Sequence, residues 1–210
     1  MNICYTPQVV KKKKKGLLAI ISGPSGVGKS TVVARLLKVS PDLKFSISAT
    51  TRPKRPTEKH GDDYYFLSEK EFFEKVEKGG FVEWAKVHGY YYGTPAKKIE
   101  EETEKGNTVV LEVDVQGAAS IKEVAARNKL RSGSQVFVFL IPPSVDILAF
   151  RLKKRRTEKS EEQNYRLRAA IAELQVMEKY DYIVVNDRVE TAAEKIKAII
   201  NVEKERMLLN

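Results

Sequence analysis

Gly23-Pro24-Ser25-Gly26-Val27-Gly28-Lys29-Ser30-Thr31 decides how this chain is read. Gly23, Gly28, Lys29 and Ser30 fill the fixed places of a G-x-x-x-x-G-K-[ST] phosphate loop. Glycines let the backbone turn several N–H groups inward and keep Cβ atoms away from phosphate oxygens. The loop follows an apolar run, Leu17 to Ile21, which has the length and flanks of a buried strand. It opens an expected helix over 29–39 that stops before Pro41, and a helix start turns its partly positive end toward an anion. In that geometry Lys29 reaches the β- and γ-phosphates and the Ser30 hydroxyl ligates Mg²⁺. Residues 23–31 therefore predict a nucleoside triphosphate site.

Outward from the loop, residues 108–113 and 136–141 are nearly continuous apolar runs, and 182–185 is a weaker one. Continuous rather than alternating apolarity predicts strands covered on both faces, as in a parallel sheet flanked by helices. Capping-box spacing at Ser160/Gln163 and Thr191/Glu194, and a capping Ser144 after Pro142-Pro143, mark helix starts between the strands. The alternation predicts an α/β, doubly wound core. A magnesium-binding acid is expected at the end of a neighbouring strand, and alternation along that strand places Asp114 and Glu112 on one face. Asp114 is the preferred candidate, with Glu112 as a further one acting through water.

Residues 45–94 break the rhythm with Pro53, Pro56 and five glycines, and are dense in aromatics. Ser68 with Glu71 predicts one short helix there, ended by Gly79-Gly80, between short aromatic strands. The expected organisation is a basic tail 1–15, a core from 16–44 and 95–210, and an insertion 45–94. Phe66, Phe72, Phe73 and Trp84 are expected to form the small core of that insertion.

The chain has 210 residues, 42% of them hydrophobic, enough for one sizeable core with insertions. Its single cysteine, Cys4, excludes an internal disulfide framework and suits a reducing compartment. Neither a membrane span nor a secretory signal is legible, so a cytoplasmic location is expected. Formal net charge is +10, with five lysines in Lys11–Lys15 and five more cations between Arg151 and Arg156. Such a balance suits an anionic partner: nucleic acid, a membrane surface or small polyphosphates. His60 and His88 show no metal-site spacing with one another or with cysteine.

Four segments, taken together, resemble the guanylate kinase family: 46–58 with Arg52-Pro53-Lys54-Arg55-Pro56, then Gly61-Asp62-Asp63-Tyr64, Phe81-Val82-Glu83-Trp84-Ala85, and Tyr91-Tyr92-Gly93-Thr94. The resemblance covers residues 16–187 in the family's motif order. It implies a P-loop core with an inserted small α+β GMP-binding region and a helical lid, about 151–168. It also implies Mg²⁺-dependent transfer of the ATP γ-phosphoryl group to GMP (and dGMP). Arg52 and Arg55 would then hold the GMP phosphate with Tyr64 and Tyr92, as two guanidinium forks suit a phosphate dianion. Glu83 would accept from guanine N1–H and N2–H₂, and Ser48 and Thr94 would donate to O6. Glu58 and Asp114 fall on GMP-side positions as well.

In the lid, Arg151 and Arg155 stand i, i+4, and with Arg166 they match the family's arginines over the triphosphate. Asn186-Asp187 match a segment beside the adenine. Three departures touch loop geometry and lid flexibility: Glu112 where many relatives have Asp, Arg156 for a usual glycine, and Thr57 for another. The expected partners are nucleotides, with neither membrane nor nucleic acid, and the assembly a monomer or homodimer.

Overall fold

A computed structural model describes residues 16–87, 89–127, 134–153 and 160–209. Lys11–Lys15, His88, Arg155 and Arg156 lie outside the described residues. Five strands form the central sheet: β1 (Leu17–Ser22), β2 (Lys44–Phe45), β7 (Val109–Glu112), β8 (Ser134–Ile141) and β9 (Tyr182–Val185). Their order is β2-β7-β1-β8-β9 and every pairing is parallel. The central strand β1 is buried at all six positions. Leu17, Ala19 and Ile21 enter one cluster with α1 (Lys29–Val39) and α7 (Val189–Leu209). Leu18 and Ile20 enter the opposite one with α3 (Ala96–Glu104) and α4 (Val115–Ala126). Two hydrophobic faces on one strand are why its sequence runs apolar without a break. Each fully buried Leu or Ile stabilises this sandwich by roughly 1.5–3 kcal/mol.

A second sheet, ordered β4-β3-β6-β5, is built from β3 (Ala49–Thr50), β4 (Tyr65–Phe66), β5 (Phe81–Val87) and β6 (Tyr90–Pro95). Against it lies α2 (Glu69–Glu77), anchored by the fully buried Phe72, which stacks on Phe81 at 4.7 Å between ring centres. The backbone comes so close at Gly93 that a Cβ there would lie 3.0 Å from Phe81 and 3.1 Å from Phe72. Trp84 remains 42% exposed, so it covers the edge of this aromatic cluster rather than filling it.

Beyond β8, α5 (Val145–Lys153) and α6 (Ser160–Leu174) pack together through Leu148, Leu152 and Ala170. The Ser144 Oγ accepts from the Ile147 amide at the start of α5. Thr191 does not cap its helix: α7 already begins at Val189, and the Asp187 carboxylate takes the Arg188 amide just ahead of it at 2.7 Å. Ser160 is the first residue of α6, and the side chains of its supposed box are outside the described set. Among the described residues, no helix is long and apolar enough to cross a membrane.

The box at α2 is fully formed, with Glu71 N–H on Ser68 Oγ and Ser68 N–H on Glu71 Oε2. Ser68→Ala is expected to lower unfolding free energy by about 1 kcal/mol, and Thr191→Ala by no more than about 0.5 kcal/mol. Urea unfolding of the two variants checks both.

Candidate active site

The phosphate loop, 23–30, joins β1 to α1. Its turn depends on Gly26 (φ +82°) and Gly28 (φ +96°), both in the left-handed region. Gly26 also has no room for a side chain, since a Cβ would stand 2.6 Å from Leu152 Cδ2 on α5. Val27 reverses the logic: its side chain is buried in the core and its carbonyl is the loop's anchor. That carbonyl accepts from Asn186 Nδ2 at 2.7 Å and from Arg151 Nη1 at 3.0 Å, while Arg151 Nη2 donates to the Asn186 carbonyl. Lys29 Nζ folds back onto the Gly23 and Pro24 carbonyls. The Ser25 amide donates to Glu173 Oε2 on α6 at 2.9 Å. Thr31 lies exposed in the first turn of α1, which carries no acid and whose Gly28 cap has no side chain, so its amides suit an anion.

Across the cleft, Arg52 makes a two-pronged ion pair with Glu58, at 2.7 and 3.1 Å, and Glu58 also accepts from the Arg55 amide. These bonds hold the Glu58 carboxyl below its usual range and raise Arg52 further. The Arg52 guanidinium lies 5.6 Å from the Tyr64 ring centre, and Tyr64 meets Tyr92 edge-on at 6.1 Å. Burial, and then the Glu112 charge, push Tyr64 up to about 12. Its hydroxyl therefore stays protonated and can donate to an anion at any physiological pH.

Glu83, on β5, is 8% exposed, and Thr94 Oγ1 on β6 donates to its Oε1 at 2.6 Å. Burial pushes the Glu83 carboxyl up to about 7, with the Asp114 charge adding to the shift. Asp114 sits beyond the end of β7 and caps α4, accepting from the Gly117 amide at 2.7 Å. Strand alternation therefore does not carry from Glu112 to Asp114, because the chain leaves the strand between them. Glu112 instead accepts from Ser30 Oγ at 2.6 Å. Asp114 turns toward Glu83, and both carboxylates flank Gly117, whose Cβ would meet each at 3.3 Å. A hydroxyl and a carboxylate at the phosphate loop are hard oxygen donors of the kind Mg²⁺ takes alongside phosphate and water.

A cleft of about 950 Å³ runs past Ser30, Arg52, Arg55, Tyr64, Tyr92 and Arg166. A smaller hollow of about 180 Å³, walled by Lys29, Glu83 and Asp114, adjoins it along Ser48, Tyr64, Tyr92 and Glu112, which line both. Arg151 and Asp187 line neither hollow: Arg151 donates to the Val27 and Asn186 carbonyls beside the loop, and the Asp187 carboxylate accepts from the Arg188 amide. Two residues escaped the sequence reading. Gly117 had a weak signal, a glycine three positions after a capping acid. Glu173 had none, because its partner is 148 residues away.

The sequence matches the family model described as guanylate kinase over residues 15–203. A guanylate kinase of Caldanaerobacter subterraneus subsp. tengcongensis is 50% identical over 93% of this chain and 91% of its own length. One of Thermotoga maritima is 43% identical over the same shares. Among solved structures, the guanylate kinase of Anaplasma phagocytophilum superimposes with a TM-score of 0.74 at 33% identity, covering 91% of this chain and 88% of that one.

A raised carboxyl pKa has a definite stability consequence at Glu83. Between pH 4.5 and 7 the unfolded chain gives up this proton while the fold retains it, so stability falls as pH rises through that window. Glu83→Gln should be more stable than the parent at pH 8, by about 3 kcal/mol at most, with the difference vanishing below pH 4.5. Denaturant unfolding at the two pH values is the measurement.

Proposed function

The chain belongs to the guanylate kinase family, and from that premise we infer that it transfers the γ-phosphoryl group of ATP to GMP (and dGMP), giving ADP and GDP. It is a transferase of nucleoside monophosphates with a P-loop kinase fold. The observation that most supports guanine as the acceptor base is Glu83, a buried carboxylate in the same cleft as the phosphate loop. Guanine offers N1–H and N2–H₂ to such a group, whereas adenine presents a bare N1 to it. A site with buried polar groups needing those partners can reject the wrong base by about 10⁴.

The roles follow from donor and acceptor chemistry. Thr94 has one hydroxyl proton, and in giving it to Glu83 it orients the reading carboxylate, so Ser48 is left to donate to O6. Asp114 sets a second carboxylate beside Glu83, which disfavours any acceptor base that brings a lone pair to that edge. Arg52 and Arg55 take the GMP phosphate with the Tyr64 and Tyr92 hydroxyls, and Glu58 sets the Arg52 fork in the right plane. That phosphate is already a nucleophile, so no general base is required.

On the donor side, Gly23, Pro24, Ser25, Gly26, Val27, Gly28 and Thr31 shape the anion cradle, and Lys29 swings from its loop carbonyls to the β- and γ-oxygens. Asn186-Asp187 border the adenine. Arg166, Arg151 and Arg155 spread the charge of the transferring group; Arg151 also spends two of its five N–H donors on holding the loop. Mg²⁺ would be held by Ser30 and Asp114, with Glu112 directly or through water, and would offset the negative charge of the β- and γ-phosphates. Residues 16–44 and 95–210 act as the core, 45–94 as the GMP region and 151–168 as the lid, in a cytoplasmic enzyme of purine nucleotide metabolism.

With ATP and Mg²⁺, a coupled assay should turn over GMP at least 10³-fold faster than AMP, UMP or TMP by kcat/KM, and Glu83→Gln should erase most of that margin. Faster turnover of any other monophosphate would overturn the base assignment. Guanine needs the ionised carboxylate, whose pKa is about 7, so affinity is full above that pH and lost below it. KM for GMP should rise about tenfold per pH unit below 7, and the slope should flatten in Glu83→Gln.

A further inference from the structure

We propose that Glu173 is a positioning residue that fixes the lid helix α6 to the phosphate loop and thereby sets the reach of Arg166 into the cleft. The proposal rests on the transition-state role given above to Arg166. Three observations carry it. The Glu173 carboxylate accepts the Ser25 amide at 2.9 Å, a charge-assisted bond between the end of α6 and the middle of the loop. Arg166, Ala170 and Glu173 stand at i, i+4 and i+7, so they share one face of α6. Along that stripe Ala170 is fully buried against Leu148 and Leu152 of α5, and Leu152 in turn abuts Gly26 of the loop.

The helix is therefore held at its last turn and packed at its middle, while Arg166, two turns and about 10 Å from Glu173, lines the cleft. The helix works as a boom with its foot on Ser25. The anchoring choice needs a reason, because a carboxylate beside a triphosphate cradle repels the ligand. Its benefit is geometric: the foot and the phosphates are tied to the same loop, so the arginine is referenced to the atoms it must meet. A misplacement of about 1 Å in such a group can cost 10²-fold in rate.

Steady-state kinetics on Glu173→Ala, Glu173→Gln, Arg166→Ala and the Glu173→Ala/Arg166→Ala pair test this, with thermal midpoints recorded for each. Glu173→Ala should lose 10- to 100-fold in kcat, with KM for GMP within threefold of the parent. Glu173→Gln keeps an oxygen that accepts the Ser25 amide, and should stay within threefold of the parent kcat. In the Arg166→Ala background, adding Glu173→Ala should cost less than twofold, because the lever would have nothing left to place. Full additivity of the two changes, or an unaltered kcat in Glu173→Ala, overturns the proposal while leaving the reading of Arg166 intact. Loss of activity in Glu173→Gln equal to that in Glu173→Ala also overturns it. An Arg166→Ala enzyme as fast as the parent removes the arginine's role and the lever with it.

Discussion

The buried bond from Asn186 Nδ2 to the Val27 carbonyl is the constraint on which the donor half of the cleft depends. A glycine-rich loop resists being fixed, since ordering a residue's backbone costs roughly 1–2 kcal/mol. Two loop amides hold the turn, Ser25 on Glu173 and Val27 on the Pro24 carbonyl, and an amide so spent is lost to phosphate. The rest of the holding comes through carbonyls, and Val27 supplies the point of attachment: side chain in the core, carbonyl gripped by Asn186 and Arg151. Asn186 follows β9 and Arg151 sits in the last turn of α5, so the edge of the sheet and α5 meet at one oxygen atom. The fold around the loop is in this sense a clamp, and strand order puts β9 close enough to serve.

The acceptor half is stiffened differently. There the second sheet is two to seven residues deep in each strand, too small to bury much, and its aromatic packing at Gly93 leaves no slack. Its polar groups come in mutually satisfied sets, Arg52 with Glu58 and Glu83 with Thr94. Holding Glu83 in this wall is unfavourable for the fold and favourable for discrimination, a trade that places a functional group where packing alone would put a glutamine or a leucine.

Local pattern carried much of this. The phosphate loop, the strands at 17–21 and 182–185, the helix at 29–39 and the box at Ser68 and Glu71 were legible because each is specified by near neighbours: apolar period, glycine, capping spacing. Direction and partnership were not. Thr191 and Glu194 have the right spacing for a box, yet α7 already begins at Val189, which leaves Thr191 inside its first turn. Arg151 and Arg155 read as a pair by helix period; Arg155 lies outside the described residues, and Arg151 donates to two carbonyls, 124 and 35 residues away, that no local pattern could name. Thr94 reads as a hydroxyl facing a ligand, and its proton turns out to point at Glu83. Such choices are settled by which groups the tertiary fold brings within three ångströms.

The balance of charge along the cleft has a kinetic corollary. The chain carries a surplus of ten positive charges, yet among the described residues that line the two hollows acids outnumber cations, six to four. Lys11–Lys15 and Lys154 to Arg156 lie outside the described residues. Along the described walls an incoming polyanion meets acids as well as cations, which mutes steering by the walls themselves. Capture is then a matter of short contacts formed one by one after arrival, and the metal-complexed nucleotide, less negative than the bare one, is the species such an entrance favours.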